Sequence, residues 1–483
     1  MPEQRGTARG LTFSLELDLV EEVAHDAKRI DALITVRASG AGRPASADTF
    51  AEIIVMDRSL SMASHGKLKA AQLAACAAID ALDDGVYLGI VAGNDKSKVI
   101  FPGDGSLARV DSRVRARARE RVRGLIPDGR TAIGTWLLQA ADLFAAGAPN
   151  NAVCHAALYT DGRNVSETPE QLRRALARCA DRFVCDPRGL GDDWDYETLL
   201  MIAEALHGDA KAVVEVADLT SDFVQLTENA RRLVVPRVYL GLGPDSRFRV
   251  SSLRQVLPTE ADLTNQQQAV DRDVHIPLGA WGAGTRQYQL TLTFDADSLS
   301  VGEEIRAARV ALLAETPEGE REPCAAGVPL VLRRSELGAP PPPPIEDLTR
   351  VANNYELGTA MRACADAYLK DDFASADAYL RRALEFAKIL RDTHRLRLLQ
   401  GVAEDMDGVI RVRRGLKRGV IQELGVESTR TGVMLPEDLD LDVRGKAPVP
   451  DVVRVCRHCG EETYGQDATA CEECGAALGG DAA

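Results

Sequence analysis

The sequence has no run of about 18 apolar residues, which is the length that a helix needs to cross a bilayer. Its first ten residues, MPEQRGTARG, lack the basic and then apolar order of a secretory signal peptide. Basic residues are outnumbered, because 58 Lys and Arg stand against 73 Asp and Glu and give a net charge of -15. That balance argues against general binding of nucleic-acid phosphates. We therefore expect a cytoplasmic protein that has no membrane partner and does not depend on nucleic acid.

Two enzyme signatures are also missing. No Gly-x-Ser-x-Gly motif is present, and the Gly-x-Gly fragments in GLGDDW and GLGPDS lack the rest of the dinucleotide fingerprint. Six of the ten cysteines are scattered among hydrophobic neighbours, as buried thiols are in a reducing compartment. These six are Cys76, Cys154, Cys179, Cys185, Cys324 and Cys364. The sequence therefore argues against a serine hydrolase, a dinucleotide enzyme and a disulfide scaffold.

The 483 residues are enough for several domains, and the central part has an α/β pattern. Over residues 49–227, short apolar strands alternate with amphipathic helices, which predicts a doubly wound parallel sheet. One helix start is explicit in ETPEQL, where Thr168 is the expected N-cap of a capping box. Strand patterns also fill residues 1–48 and 228–335. We predict that these two regions form one β-sandwich and that the α/β unit is inserted in it.

The last third of the chain changes composition several times. A Pro-rich linker covers 336–344, and a helical domain with a loose likeness to a tetratricopeptide hairpin covers 345–414. Residues 415–455 are rich in Gly, Pro and acids, so we predict mostly linker. The whole chain is thus predicted to be a multidomain α/β protein that ends in a small metal-binding module at 456–478.

That module is predicted from two matched Cys-x-x-Cys-Gly sequences. Cys456 and Cys459 are separated from Cys471 and Cys474 by eleven residues. Four thiolates in two tight turns suit tetrahedral Zn²⁺, which indicates a structural zinc ribbon without a free ligand position. A redox dithiol or a chance cluster is the alternative, but one dithiol would not need two matched pairs.

Three loops rich in oxygen ligands fall at strand ends or helix starts of the α/β unit. The sequence VMDRSLS contributes Asp57, Ser59 and Ser61, the sequence DGRT contributes Thr131, and the sequence LYTDG contributes Asp161. In an open α/β sheet, ligands bind beyond the carboxyl ends of the strands. Hydroxyls and carboxylates suit Mg²⁺ better than a transition metal. Each loop taken alone is also compatible with an ordinary turn or helix cap.

At these residues the sequence resembles the von Willebrand factor A (vWA) family, whose metal-ion-dependent adhesion site (MIDAS) has the order Asp-x-Ser-x-Ser, Thr loop and Thr-Asp-Gly. The resemblance implies that Ser59, Ser61 and Thr131 supply hydroxyls to Mg²⁺, or to Mn²⁺ or Ca²⁺. It also implies that Asp57 and Asp161 hold the ion, often through water, and that a partner's carboxylate completes the shell. The flanking regions resemble those of bacterial, largely actinobacterial, vWA proteins.

Four nearby residues qualify this interpretation. Leu60 and Arg130 stand where the family usually has glycines, which affects the rim of the site. We interpret His65 as a solvated loop histidine and Lys67 as a lysine at a helix start.

These features predict a scaffold or adaptor, not an enzyme, that binds an Asp or Glu of a protein partner through its MIDAS. A Mg²⁺-dependent hydrolase using the same oxygen cluster is one alternative. The other is a nucleic-acid adaptor acting through the zinc ribbon, which is favoured only by the short basic sequence RVRRGLKRG.

Thr429 and Thr431 lie in the polar sequence ESTRTG of the predicted linker. We predict that they are accessible, and we consider them possible phosphorylation sites. The vWA resemblance implies Ser/Thr kinases, phosphatases and forkhead-associated (FHA) domain proteins as possible partners. An unmodified spacer is the alternative.

Overall fold

The computed structural model describes residues 6–40, 49–340, 342–406, 408–431, 453–455 and 462–464. The chain divides into two units, Met1–Val433 and Met434–Ala483. Within the described ranges, no helix combines the length and the apolar character that a membrane span requires.

The first described segment of the chain is made of strands. They are β1 (Gly6–Ala8), β2 (Leu11–Leu19), β3 (Glu22–Val23) and β4 (Arg29–Ser39). Strand β2 alternates buried and partly exposed residues, and it pairs with β4 in the antiparallel sense. The strand pattern predicted for residues 1–48 is therefore confirmed in the described part of that region.

The next segment alternates strands and helices. Its strands are β5 (Phe50–Asp57), β6 (Tyr87–Gly93), β7 (Ser97–Phe101), β8 (Ala108–Arg109), β9 (Val153–Thr160), β10 (Val184–Leu190) and β11 (Lys211–Val213). Its helices are α1 (Lys67–Ala81), α2 (Ser112–Arg123), α3 (Ile133–Gly147), α4 (Pro169–Cys179), α5 (Tyr196–Ala205) and α6 (Leu219–Ala230). The Thr168 capping box is present at the start of α4, as predicted.

These strands form one sheet with the main order β11-β10-β9-β5-β6-β7. The first five strands of that order are parallel, whereas β7 and the short β8 pair with β6 in the antiparallel sense. The sheet is therefore antiparallel at one side, whereas the sequence predicted a parallel sheet. Every residue of β5 is buried, because this central strand has a hydrophobic cluster on each face.

The segment that follows returns to strands. They are β12 (Val238–Pro244), β13 (Phe248–Leu257), β14 (Ala261–Asp262), β15 (Gln268–Val270), β16 (Asp273–Pro277), β17 (Gly284–Phe294), β18 (Glu304–Glu315) and β19 (Arg321–Arg334). With the first strands of the chain they form two six-stranded sheets, ordered β1-β2-β4-β17-β13-β14 and β15-β16-β12-β18-β19-β3. Both sheets contribute to one hydrophobic cluster that includes Phe13, Leu240, Trp281 and Leu312. Strands from before and after the α/β segment thus bury their apolar faces together.

Helices dominate the described chain after residue 345. They are α7 (Glu346–Leu369), α8 (Phe373–Leu390) and α9 (Thr393–Val402), and α9 leads into a hairpin of β20 (Ala403–Met406) and β21 (Val409–Val412). The last helix is α10 (Arg418–Glu427). Helices α7, α8 and α9 and the hairpin share a core that contains Met361, Leu380 and Leu399.

Helix α10 lies in a region where the sequence predicts mostly linker, and for residues 418–427 that prediction is wrong. Gln422 is fully buried, accepts a hydrogen bond from the backbone N–H of Tyr196 at 2.9 Å and donates one to the Trp194 carbonyl at 2.8 Å. Ile421 and Val426 join the apolar cluster around the same two aromatic residues. The helix is therefore stabilised by tertiary packing on the start of α5, which its local composition does not reveal.

In the second unit, the described residues form a small hairpin. Strand β22 (Val453–Val455) pairs with β23 (Glu462–Tyr464) in the antiparallel sense.

Candidate metal centre

The three predicted oxygen loops lie around the carboxyl end of β5. Asp57 is the last residue of this strand, and a turn of 3₁₀ helix over Leu60–Gly66 follows before α1. Thr131 lies just before α3, and Asp161 directly follows β9, which is the parallel neighbour of β5. Because neighbouring parallel strands end at the same edge, these loops come together there.

The first loop is folded around the Asp57 carboxylate. Its Oδ1 accepts a hydrogen bond from the Ser59 backbone N–H at 2.7 Å, and its Oδ2 accepts one from Thr160 Oγ1 at 2.6 Å. The Oγ atoms of Ser59 and Ser61 are 2.9 Å apart. Asp57 and Ser59 are buried, so the loop holds these polar side chains away from bulk water.

The third loop brings Asp161 to the same place. Its Oδ1 accepts a hydrogen bond from Ser61 Oγ at 2.7 Å, although 100 residues separate the two in sequence. Thr131 is linked to the group through Gly162. A Cβ at Gly162 would lie 2.8 Å from Thr131 Oγ1, 3.4 Å from Ser61 Oγ and 3.6 Å from Asp57 Oδ2. Glycine thus keeps this space open, and oxygen atoms of three of the five predicted residues border it.

Lys67 stands at a helix start, as predicted, but it also belongs to the centre. It is the first residue of α1 and it is buried, and its Nζ donates a hydrogen bond to Asp161 Oδ2 at 2.8 Å. Asp193, whose side chain is largely exposed, is a second and weaker ion-pair partner at 3.7 Å. The sequence gives no direct signal for this role, because a lysine at a helix start is usually solvated. His65 is exposed, as predicted.

The charged side chains of the centre have a net negative charge, which a cation would balance. Burial raises the pKa of Asp57 to about 6, although hydrogen bonds from Ser59 and Thr160 oppose that rise. With both carboxylates ionised, Asp57 and Asp161 carry two negative charges and Lys67 carries one positive charge, so the three side chains have a net charge of -1. A divalent cation would overcome the burial cost of the carboxylates.

The donor set of these side chains also fits a hard divalent ion. Within the described ranges, no cluster of three or more His, Cys, Asp or Glu side chains is arranged to hold a metal. The centre therefore depends on its hydroxyls as much as on its two acids. Hydroxyl and carboxylate oxygens suit Mg²⁺, Mn²⁺ or Ca²⁺, whereas they bind softer metals less selectively.

The remaining predicted site residues fall into two groups. Cys456, Cys459, Cys471 and Cys474 lie outside the described residues. Thr429 and Thr431 are described. They are half-buried, whereas the sequence predicted accessible side chains. Thr431 Oγ1 donates a hydrogen bond to the Val256 carbonyl at 2.5 Å, and the Thr429 carbonyl accepts one from the Glu260 N–H at 2.7 Å. This short segment is tied to the end of β13, so a kinase could reach it only after those bonds open.

A second polar cluster, which sequence reasoning missed, lies on one face of the same sheet. His155 of β9 is fully buried between Glu52 Oε2, at 2.8 Å from Nδ1, and Asp186 Oδ2, at 3.2 Å from Nε2. Arg188 Nε donates to Asp222 Oδ2 at 3.2 Å, and Lys211 Nζ donates to Asp222 Oδ1 at 2.9 Å. We call these six residues the buried ion network.

Charge pairing dominates the protonation of His155. Burial alone would lower its pKa, but the carboxylates of Glu52 and Asp186 outweigh burial and raise the pKa to about 10. One sequence signal could have revealed this pair, because Glu52 and His155 each interrupt a mainly apolar strand at a matching place. The structure pairs the two residues in register.

Comparisons with known proteins find matches for the α/β segment and for most of the chain. Residues 52–212 match the family model described as von Willebrand factor type A domain. A search of curated proteins found no match. Among solved structures, the chain is similar to a von Willebrand factor type A protein from Catenulispora acidiphila, with 29% identity, a TM-score of 0.79, and coverage of 89% of this chain and 98% of that chain.

A more distant likeness supports the fold alone. The ArnB paralog VWA2 from Sulfolobus acidocaldarius is 14% identical, with a TM-score of 0.53, and the match covers 87% of this chain and 99% of that chain. Both matches extend well beyond the α/β segment. The match to the family model and the MIDAS order of the loops lead to the same conclusion: residues 52–212 of this chain form a von Willebrand factor type A domain.

Proposed function

We propose that this protein is a metal-ion-dependent interaction scaffold or adaptor, and that its MIDAS binds an Asp or Glu side chain of a protein partner. The observation that carries the proposal is the convergence of three hydroxyls and two buried carboxylates, whose internal cation leaves one negative charge over. A divalent ion bound there would keep positive charge facing outward. That charge would attract a carboxylate from the partner.

Each residue has a distinct task in this proposal. Ser59, Ser61 and Thr131 would offer hydroxyl oxygens to Mg²⁺, Mn²⁺ or Ca²⁺. Asp57 and Asp161 would hold the ion directly or through water, and the Ser59 N–H fixes the orientation of Asp57. The ion supplies an open coordination position when it is bound, and the buried loops fix where that position lies.

The rest of the chain would serve assembly and not catalysis. We take the two six-stranded sheets as a β-sandwich that carries the vWA domain, and the C-terminal cysteines as ligands of a structural Zn²⁺. The helices and the zinc ribbon would present further surfaces to cytoplasmic partners. This view is compatible with phosphorylation at Thr429 or Thr431 only if the segment first leaves the sheet.

Calorimetric titration of the full chain with Mg²⁺ tests the metal centre. We expect one site of weak to moderate affinity, and we expect Asp57→Asn to weaken binding at least tenfold, or about 1.4 kcal/mol. Asp104→Asn is the matched control, because Asp104 is an exposed loop acid that bonds its neighbour Ser106. Equal Mg²⁺ binding by the Asp57 variant would show that the ion binds elsewhere.

Metal analysis of the full chain tests the zinc ribbon separately. We expect one zinc per chain and its loss in Cys471→Ser. Cys324→Ser is the control, since Cys324 is buried in the core shared by the two β-sheets. Full zinc retention by the Cys471 variant would contradict the predicted ribbon.

A further inference from the structure

Each of the three MIDAS loops exposes one large apolar side chain. Leu60, between Ser59 and Ser61, is 62% exposed; Ile126, in the loop that leads to Thr131, is 74% exposed; and Val165, four residues after Asp161, is 54% exposed. Single exposed apolar residues are normal on a protein surface. Here, however, three of the five most exposed large apolar side chains of the described chain stand on these loops. We call the three residues the apolar rim.

Backbone hydrogen bonds join the loops that carry the apolar rim. The Leu60 N–H donates to the Gly129 carbonyl at 3.0 Å, and the Asp128 N–H donates to the Arg58 carbonyl at 2.7 Å. The Ser166 N–H donates to the Thr131 carbonyl at 2.9 Å. These backbone bonds hold the loops that carry the apolar rim against one another, beside the candidate ligands.

The polar groups of these loops favour an acidic partner. Arg130 and Arg163 are exposed, and each lies within two residues of a candidate ligand. Arg58 is already paired with Asp128 at 3.5 Å, and Asp193 is paired with Lys67 at 3.7 Å. With a divalent ion in the centre, the two exposed arginines add to the positive charge on the loops that also carry the apolar rim.

We propose that this surface binds an extended segment of another protein in which an Asp or Glu has a branched apolar residue two positions before or after it. The inference rests on the proposed function, since the acid is taken to reach the metal. In an extended chain, residues i and i+2 point to the same side and lie roughly 7 Å apart. An acid at the ion would thus place its second neighbours over the apolar rim.

Fluorescence anisotropy with three labelled peptides tests this pairing. Their central sequences are Leu-Ser-Asp-Ser-Leu, Ser-Ser-Asp-Ser-Ser and Leu-Ser-Asn-Ser-Leu, and each is titrated with the full chain at saturating Mg²⁺. We expect the first peptide to bind about tenfold more tightly than the second, because it buries apolar area on the rim. We expect the third peptide, or the first peptide with chelator, not to bind.

Rim variants locate the contact. Leu60→Ser and Val165→Ser should each weaken the leucine peptide by about threefold to tenfold. They should leave the weaker serine peptide and the Mg²⁺ affinity unchanged. Ile389→Ser is the matched control, because Ile389 is a 56% exposed residue of α8 outside the vWA domain.

Several results would overturn the inference. Equal binding of the leucine and serine peptides would do so, as would the absence of any peptide binding while Mg²⁺ still binds. Sedimentation experiments test a further alternative. If the chain self-associates and Leu60→Ser abolishes that association, the apolar rim binds a second copy of the chain instead. Failure of Mg²⁺ binding itself would be seen separately by calorimetry, and it would reject the proposed function together with this inference.

Discussion

The metal centre and the buried ion network occupy the same sheet, but their carboxylates are neutralised in different ways. In the network, Glu52, Asp186 and Asp222 are matched by His155, Arg188 and Lys211. In the metal centre, Lys67 pairs with Asp161, whereas Asp57 accepts hydrogen bonds from Ser59 and Thr160. Three negative charges thus meet three positive charges in one cluster, whereas two meet one in the other.

This difference separates a structural group from a functional one. A buried ion pair whose partners are complete has no charge left for a ligand, and removing one partner leaves an uncompensated charge. A cluster with an excess of negative charge is incomplete until something positive reaches it. Burial alone does not distinguish the two clusters, because both contain fully buried carboxylates. The count of internal cations does.

The largest expected effect comes from removing one cation of the buried ion network. Arg188→Met leaves the buried Asp222 with only the partly exposed Lys211 as a cation, so the free energy of unfolding should fall by about 3–5 kcal/mol. The measurement is urea unfolding in the presence of chelator. Arg119→Met is the control, because Arg119 pairs with Asp80 at a partly exposed site and should cost less than about 1 kcal/mol. Equal losses in the two variants would contradict the structural role of the network.

The next effect is a dependence of stability on pH that comes from His155. Its folded pKa of about 10 lies above the unfolded value, so its stabilisation is complete below pH 6.5 and is lost as pH rises toward 10. Between pH 6.5 and 8.5 the free energy of unfolding should fall by at most about 1.4 kcal/mol per pH unit. Unfolding curves of the wild type and His155→Gln isolate this contribution. A variant that keeps the full slope would assign it to other groups.

A smaller effect should sharpen the contrast at the metal centre. Lys67→Met changes the charge of the centre from -1 to -2, so Mg²⁺ should bind about tenfold more tightly, or by about 1.4 kcal/mol. Without metal, the same variant should be less stable, because Asp161 loses its buried partner. Calorimetry and unfolding in chelator measure the two changes. Lys69→Met, at an exposed lysine of the same helix, should alter neither. Weaker Mg²⁺ binding by Lys67→Met would mean that Lys67 supports the ion instead of competing with it.

The smallest expected effect is a weakening of Mg²⁺ binding, opposite in sign to the effect of Lys67→Met. Asp193 lies 3.7 Å from Lys67 Nζ and is 65% exposed, so it draws the ammonium only weakly from Asp161. Asp193→Asn should therefore weaken Mg²⁺ binding by no more than about threefold, in line with the small worth of exposed ion pairs. A double-mutant cycle with Lys67→Met measures the coupling. If the Asp193 effect persists when Lys67 is absent, it does not act through the lysine.

The vWA domain was largely predictable because its signals are local. The alternation of strands and helices, the Thr168 capping box and the three oxygen loops are all short patterns. Once the strands are assigned, the rule that ligands bind at their carboxyl ends brings Asp57, Thr131 and Asp161 together without further information.

Helix α10 and Lys67 show where local patterns failed. The segment around Gln422 looks like linker until Trp194 and Tyr196 are placed beside it, and its helix depends on that contact. Thr429 and Thr431 follow this helix, so their supposed accessibility failed for the same reason. The sequence predicts Lys67 only as a lysine at a helix start, and its ion pair with Asp161, 94 residues away in sequence, appears only in the tertiary structure.

The sequence by itself determined which residues surround the candidate metal centre and the order of the elements that carry them. That information lies in periodicity and spacing, which depend only on neighbours in the chain. Only the tertiary structure decided how charged each cluster is, which cations are buried with its acids and which apolar side chains remain exposed around the centre. Charge balance and exposure depend on residues that are distant in sequence and close in space, and no local pattern records which of them will meet.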